Sequence, residues 1–373
     1  QLTEGHLFWQ SATKSNTSSI ALSKLTLDLK DFYVFGPLVE ADILAMTFAT
    51  NSLEGVQSLS GRYASSACGV TLRNFEIQTN ESLFKGQLSL NYPEGGWTDF
   101  KTDTSIDLEL DTLLLGIDLQ KQFVKETYPR LPLSGKMGFS GTVDQFALRA
   151  EQLKWGESQW SGLLEAQQML DTQNRQFEVH LDQARLAVDD FQFLLTQNPG
   201  SEAYLPYITP FSDWEINGQI AFASDLLKSN LNLSKDEENV QLTLEINGPK
   251  SQPTFAINLA ATSLNVQHFL PDSPWGRCNA KIKLSGAGTS VTTAQANWSL
   301  RLEELHYQQQ VWEYLSMEGN LAEGTLNTRT QLASPMLNGK LISTHSLAEK
   351  NSRHTFVGTL EQLMFGKSNL PNS

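Results

Sequence analysis

The sequence predicts a mainly β protein, because apolar and polar residues alternate in one stretch after another of its 373 residues. Leu25, Leu27 and Leu29 are separated by polar residues, and the same period recurs in 106–110 and 240–246. Side chains on a strand point to opposite faces in turn, so each stretch has one apolar and one polar face. Few helical stretches are available to cover these faces. The apolar faces must therefore pack on each other, close into a barrel or line a groove.

Turn residues divide the first hundred residues into short predicted strands. The strands are expected at 25–32, 43–48, 72–77 and 83–90, and the sheet resumes at 106–115. Breaks fall at 35–37, which contains a Gly-Pro pair, and at 92–96, which contains Pro and paired Gly. Proline removes a ladder donor and glycine frees the backbone. Turns about every 8 to 12 residues are typical of an all-β architecture.

In three other stretches the apolar residues have helical spacing instead. The clearest is 118–128, with Asp118 as a candidate N-cap and prolines at its end. Less regular examples are 191–210 and 266–274. We expect short helices at the edge of the sheet.

A similar strand entry follows each helical stretch. These entries are 133–141, 216–224 and 278–286, in which Phe139, Phe222 and Leu284 align. The pattern indicates diverged repeats of several strands, each with a short helix or loop at its edge. Past residue 300 the alternation weakens, and the residues fit either a strand or an amphipathic helix.

The charge balance excludes several partners. Lys and Arg number 27 and Asp and Glu number 41, which gives a formal net charge of −14. Such a surface repels phosphate backbones, so no nucleic acid is expected to bind. Basic residues do not cluster, so electrostatic docking on anionic membrane surfaces is disfavoured as well.

Motifs for catalysis, metals or cofactors are not found. The six His residues stand singly, and neither a nucleophile elbow nor a phosphate-binding loop occurs. Asp189-Asp190 and the acidic stretch 235–238 fit solvated turns better than a calcium site. Trp155, Trp160, Trp214 and Trp275 fit edge or core packing better than sugar stacking. We expect no enzyme, metal or cofactor, although a catalytic set assembled from distant residues leaves no local motif.

Two further features bound the class of protein. Cys68 and Cys278 are the only cysteines, and either two separate thiols or one long-range disulfide fits them. No stretch reaches the roughly 18 to 20 apolar residues of a membrane-spanning helix. The chain begins at Gln1 without a leader, so we expect a soluble mature form or a piece of a longer protein.

Segments 59–63, 70–77 and 84–90 resemble the bacterial TamB/AsmA-like family of periplasmic bridge proteins, closest to the forms found in Bacteroidota. The family repeats short sequence motifs of this kind: a strand that ends in Leu-Ser-Gly, a strand rich in Leu and Phe, and a strand that begins with Gly. Segments 133–164 and 282–286 contain similar motifs. The resemblance covers about residues 20–288 of this chain.

The resemblance implies an elongated, curved sheet, bent into a taco-like trough with an apolar interior. Members of the family are anchored in the inner membrane and are implicated in moving phospholipid toward the outer membrane. A part in outer-membrane protein assembly is also proposed for them. This chain lacks the anchor and the family's C-terminal region, so we expect a periplasmic internal fragment whose inner-membrane anchor lies outside it. An outer-membrane barrel is the protein partner that the resemblance implies.

On this basis we divide the chain into four parts. Residues 1–19 are a poorly defined N-terminal segment, and 20–300 form the repeat β-trough. Residues 301–366 are a further β or edge segment, and 367–373 a disordered tail rich in Ser, Asn and Pro.

The residue pattern and the resemblance together predict a non-enzymatic lipid conduit, in which alternate side chains shield phospholipid acyl chains. The predicted lining residues are Leu25, Leu27, Leu29, Leu72, Leu88, Leu90, Ile106, Leu108, Leu110, Phe139, Phe146, Leu148, Ile220, Phe222, Val240, Leu242, Leu244, Ile246, Phe255, Ile257, Leu259, Ile282 and Leu284. Polar residues such as Lys30, Asp107 and Glu245 are predicted on the outer face. Two alternatives stay open: a scaffold or chaperone for outer-membrane proteins, and a cell-surface carbohydrate-binding β protein.

Overall fold

The structure, a computed structural model, covers most of the chain. It describes residues 2–13, 16–50, 55–94, 99–120, 131–190, 209–249, 251–270, 272–290, 292–307, 310–334, 337–347 and 354–363. For residues 7–13, 16–21, 50, 118 and 362–363 it describes the backbone only. The predicted tail 367–373 lies outside these ranges.

Strands dominate the described residues, and the predicted fold class is confirmed. The 21 described strands are antiparallel to the strands with which they pair, and the described pairs join strands that are consecutive in the chain, as in a meander. The described helices are α1 Phe100–Asp103, α2 Ile117–Gln120 and the 3₁₀ helices Thr209–Phe211 and Val266–His268. Backbone contacts divide the chain into two compact units, unit 1 Gln1–Leu205 and unit 2 Pro206–Ser373.

Unit 1 contains eleven of the described strands. They are β1 Leu2–Thr13, β2 Asn16–Phe35, β3 Leu38–Thr50, β4 Val56–Ser66, β5 Gly69–Gln78, β6 Leu83–Asn91, β7 Ser105–Leu115, β8 Leu133–Gly141, β9 Phe146–Trp155, β10 Ser158–Gln167 and β11 Gln176–Arg185. β1 and the start of β2 occupy the described part of segment 1–19. β6 ends at Asn91, directly before the predicted break.

Every described strand pair of unit 1 contains a register shift. From β5 to β11 the shifts lie at facing positions of neighbouring strands, for example at Asn74 in β5 and Gln152 in β9, both of which have positive φ. A β-bulge bends its strand and increases the local twist. Because the bulges sit side by side, the strands of unit 1 bend together.

Unit 2 contains the other ten described strands. They are β12 Glu215–Ala223, β13 Leu226–Lys235, β14 Glu238–Asn247, β15 Thr254–Asn265, β16 Arg277–Ala287, β17 Gln295–Tyr307, β18 Gln310–Ala322, β19 Thr325–Ala333, β20 Leu337–Ser346 and β21 His354–Leu363. Register shifts are confined here to the pairs β15–β16 and β20–β21 among the described pairs. The described residues after 300 lie mainly in strands, not in an amphipathic helix.

The predicted strand entries correspond to β8, β12 and β16, and in each case a short helix precedes the strand. Three strands lie between one entry and the next, so the repeat has four strands, which matches the predicted repeat of several strands. The predicted N-cap at Asp118 is wrong, because α2 begins at Ile117 and the carbonyl of Gly116 accepts from the Gln120 N–H at 3.3 Å. The rest of the predicted helix, 121–128, lies outside the described residues. None of the described helices is both long and apolar enough to cross a membrane.

Each unit has its own cluster of buried apolar residues. In unit 1 the cluster is built on Phe75, Leu110, Leu113 and Leu153. In unit 2 it is built on Trp214, Leu233, Val240, Ala261, Cys278, Ala280 and Leu305. Both clusters lie on the apolar side of the strands, where alternate side chains gather.

Candidate functional site

The candidate site in unit 2 is one face of its sheet, because residues directly opposite each other on antiparallel strands share a face. Leu231, Leu242, Leu259, Ile282 and Leu300 are directly opposite one another from β13 to β17. They form one unbroken row of aliphatic side chains across five strands.

A second row runs beside the first one. Leu244 of β14 lies opposite Ile257 of β15, which lies opposite Leu284 of β16 and then Trp298 of β17. Neighbouring strands are about 4.8 Å apart, so four spacings give the first row a length of about 19 Å. The two rows make a continuous apolar surface.

The registers place all predicted lining residues of unit 2 on this face. They are Ile220, Phe222, Val240, Leu242, Leu244, Ile246, Phe255, Ile257, Leu259, Ile282 and Leu284. The sequence reasoning missed Leu300, Trp298 and Met317, which extend the same rows into β17 and β18. Trp298 and Leu300 alternate with polar residues in the sequence but lie beyond the last predicted strand entry, and Met317 lies where the alternation weakens.

The registers of unit 1 likewise bring its predicted lining residues together on one face. Leu72, Leu88, Leu108, Phe139 and Leu148 are directly opposite one another from β5 to β9. The remaining predicted residues, Leu25, Leu27, Leu29, Leu90, Ile106, Leu110 and Phe146, lie on the same face in neighbouring rows.

A further row of unit 1 was not predicted. Leu27 lies opposite Met46, and the row continues through Leu59, Ile77 and Phe84. The apolar face of unit 1 therefore extends over strands in which the alternation is interrupted by bulges.

Most of the apolar face is accessible. Phe222 is 39 % exposed and Ile282 is 36 % exposed, and Leu231, Leu242 and Leu284 are half-buried. In unit 1, Leu72, Leu108 and Phe139 are half-buried as well, whereas Leu110 and Leu113 are buried. Large aliphatic side chains on a sheet that is packed against another layer are usually fully buried. The central rows therefore meet solvent on one side.

One end of the apolar face in unit 2 is closed by a cap. Trp214 is fully buried there, and its indole Nε1 donates to the Pro210 carbonyl at 3.0 Å. Phe211 contacts Trp214 and Phe269 edge to face, with ring centroids 5.6 and 4.9 Å apart. Beneath them lie small or short side chains such as Val240 and Ala261. The cap covers the row that contains Val240 and Ala261 and leaves the neighbouring central rows half-buried.

The aromatic residues of this region serve packing. Trp275 contacts Tyr307 at 4.7 Å and Trp312 at 5.1 Å between ring centroids. For Trp214 and Trp275 the predicted edge or core packing is confirmed. Trp160 lies on the apolar face of unit 1, opposite Leu153.

The opposite face of each unit is polar. The predicted outer residues Lys30, Asp107 and Glu245 alternate with the lining residues and lie on this side. Lys228 pairs with Glu245 at 3.2 Å and Lys85 with Glu76 at 2.9 Å across neighbouring strands. These side chains are about half exposed, so each pair contributes only about 0 to 1 kcal/mol to stability. Their role is solvation of the outer face.

The acidic groups singled out in the sequence have local partners. Asp190 is buried and accepts from both the backbone N–H and the hydroxyl of Ser158 at 2.7 Å. Glu238 is buried, accepts from the Asn265 N–H at 3.0 Å and lies 3.0 Å from His268 Nδ1. Both carboxylates thus secure turns and caps at strand ends.

Within the part of the chain that the structure describes, two groups have shifted pKa values. Burial raises the pKa of the Cys278 thiol, because the thiolate would lose its hydration. The side-chain amide of Asn174, and then the Gln173 N–H, donate to Asp171 and lower the pKa of its carboxyl. Cys68 and Cys278 are both free. Neither perturbed group lies in the central rows of the apolar face.

Comparison with known proteins gives no relative: the chain matches no family model, no curated protein and no solved structure. The function must therefore be inferred from the two faces themselves.

Proposed function

We propose that the apolar face binds lipid acyl chains and that the protein is a non-enzymatic segment of a lipid conduit. The observation that carries this proposal is the row from Leu231 to Leu300, which is unbroken in register and only half-buried. From the resemblance to periplasmic bridge proteins we further propose that the lipid is phospholipid, carried between the inner and outer membranes. On the same basis we place the protein in the periplasm.

The energetics support acyl chains as the occupant. Removing a methylene group from water contributes about 0.8 kcal/mol, and an acyl chain presents one such group after another. A surface made of two aliphatic rows removes many of them from water at once. The half-exposed Phe222 and Ile282 would be covered as well, which adds their own burial to the gain.

The uniformity of the surface supports movement along it. The central rows of β13 to β17 consist of aliphatic side chains except at their ends, where Ser229 and Trp298 lie in the second row. A chain that slides from one position to the next exchanges one methylene contact for an equivalent one. Deep local minima are therefore few, and a lipid can move while its headgroup stays in water.

A charged substitution on the apolar face tests the proposal. We expect phospholipid to co-purify with the protein, and Leu242→Asp to reduce its amount several-fold, because the carboxylate would have to be desolvated under the acyl chain. Leu108→Glu should have the same effect in unit 1. The measurement is quantitative mass spectrometry of lipid extracted from the purified protein.

Thr243→Asp provides a matched control, because Thr243 is the next residue of β14, is exposed and lies on the polar face. It adds the same charge to the same strand, so we expect the lipid content of the wild-type protein. Lipid at background level in the wild type, or equal loss in both variants, would contradict the proposal. Circular dichroism of each variant establishes that the sheet is intact.

A further inference from the structure

Three metal-ligating side chains converge on the polar face of unit 1, between β10 and β11. Glu165 lies directly opposite Glu178, and His180 is two residues further along β11 and so on the same face. One ligand atom from each of the three lies within 4.8 Å of the others. His180 Nε2 is 3.1 Å from Glu178 Oε1.

The two carboxylates repel each other. Among the registered pairs of the described strands, this is the pair that sets carboxylate against carboxylate, an arrangement that destabilises a sheet. The other like-charged pairs have compensation: Arg62, opposite Arg73, approaches Glu40 at 3.6 Å, and Arg301, opposite Lys281, contacts Glu303 at 2.7 Å.

No such compensation by Lys or Arg is seen for the Glu165 and Glu178 pair within the described residues, where His180 is the ion-pair partner. Of the two cationic residues on the neighbouring strand β9, Arg149 lies opposite Leu163, one row away from Glu165, and Lys154 lies further away, opposite Gln159. Two negative charges are thus held together on rigid strands beside one imidazole.

A recess of about 420 Å³ adjoins the cluster. Glu165 forms part of its wall, together with Ser140, Gln145 and Gln167, and the small side chain of Ala147 leaves the space open. An ion held by three protein ligands needs room for water at its remaining coordination positions. The recess provides that room next to the carboxylate.

We propose that Glu165, Glu178 and His180 bind a divalent transition-metal ion of the Zn²⁺ class. An imidazole nitrogen and two carboxylates suit Zn²⁺, Ni²⁺ or Cu²⁺, whereas Ca²⁺ and Mg²⁺ take oxygen ligands. On binding, the Nε2 proton of His180 moves to Nδ1 or to water, and the Nε2 lone pair coordinates the ion. The ion neutralises the carboxylate pair and ties β10 to β11.

Zinc titration of metal-free protein tests this proposal independently of any lipid. In a Cys68→Ser background, which removes the exposed thiol, we expect isothermal titration calorimetry with ZnCl₂ to detect a site that His180→Gln abolishes or weakens at least about tenfold. Glu165→Gln should weaken it as well. Bound metal should also raise the thermal midpoint of unfolding, since it binds the folded state.

Two further variants separate this site from other histidines. His268→Gln alters the imidazole beside Glu238, and His345→Gln alters one of two imidazoles whose Nδ1 atoms are 2.7 Å apart. Both should retain the equivalent of Zn²⁺ that His180→Gln loses.

An unchanged Zn²⁺ stoichiometry and affinity in His180→Gln would overturn the proposal, as would a wild-type protein that binds no Zn²⁺ at millimolar concentration. If a variant fails to fold, Co²⁺ absorption by the Cys68→Ser protein decides instead. Visible ligand-field bands on titration are expected, and their absence would overturn the proposal.

Discussion

At the scale of single residues, burial separates the two thiols of this chain. Cys68 is exposed in the turn between β4 and β5, whereas Cys278 is 3 % exposed among Trp214, Leu305 and their neighbours. Because the thiolate is the nucleophile, the raised pKa of Cys278 lowers its reactivity beyond what access alone would do.

We therefore expect one reactive thiol in the folded protein and two after denaturation. Ellman's reagent should label Cys68 rapidly in buffer and Cys278 only after guanidinium is added. Cys68→Ser should leave the folded protein unreactive. Two fast thiols in the folded wild type would show that the cap over Cys278 does not exist as described.

The raised pKa also fixes how Cys278 affects stability with pH. The native state holds the thiol proton more tightly than the unfolded chain does. The contribution of Cys278 to the free energy of unfolding is therefore fully present below the pKa of the unfolded chain, about 8.5. It is lost as the pH rises through the folded pKa. At neutral pH the buried thiol therefore makes its full contribution to stability.

At the scale of elements, the close approach of neighbouring strands depends on small residues at particular rows. Gly319 of β18 lies opposite Trp298 of β17 on the apolar face. A Cβ at Gly319 would lie 2.8 Å from the indole ring of Trp298 and would also meet the Asn327 carbonyl. The indole can cover this part of the sheet because the glycine leaves space for it.

Gly319→Ala should lower the free energy of unfolding by about 1 to 3 kcal/mol, the usual cost of overpacking a filled site. Gly358→Ala in β21 is the matched control, because a Cβ there would meet Leu341 at 3.4 Å, an ordinary contact. That control should change stability by less than about 1 kcal/mol. Guanidinium unfolding followed by tryptophan fluorescence measures both, and equal effects would refute the role assigned to Gly319.

The sequence predicts which residues of one strand share a face. It does not predict which residues of neighbouring strands lie opposite each other. A period of two places Val240, Leu242 and Leu244 on one side whatever strand lies next to them. The bulges at Asn74 and Gln152 shift the register and leave no comparable signal in the sequence.

The same limit explains the residues that sequence reasoning missed. Glu178-x-His180 places both side chains on one face of a strand, but Glu165 joins them only through the register of β10 with β11. The helix start at Ile117 was missed for a different reason, since the residue before it is Gly116, which has no side chain that could signal an N-cap in the sequence.

At the scale of the whole molecule, the net charge of −14 and the apolar faces have opposite effects on lipid binding. The charge disfavours attraction to anionic lipid headgroups, because like charges repel at the surface. The apolar faces favour acyl chains irrespective of the headgroup. If binding is dominated by acyl burial, it must depend weakly on ionic strength.

Salt therefore distinguishes acyl burial from headgroup attraction. We expect the amount of a fluorescent phospholipid bound per protein to change less than about twofold between roughly 0.05 and 0.5 M NaCl, although the Debye length falls from about 14 to about 4 Å. Zwitterionic and anionic lipids with the same acyl chains should bind comparably at the higher salt concentration, where the repulsion from the acidic surface is screened. The polar-face variant Thr243→Asp serves as a control for added charge. A steep loss of binding with salt would show that headgroup charges hold the lipid, and the apolar rows from β13 to β17 would then not be its principal contact.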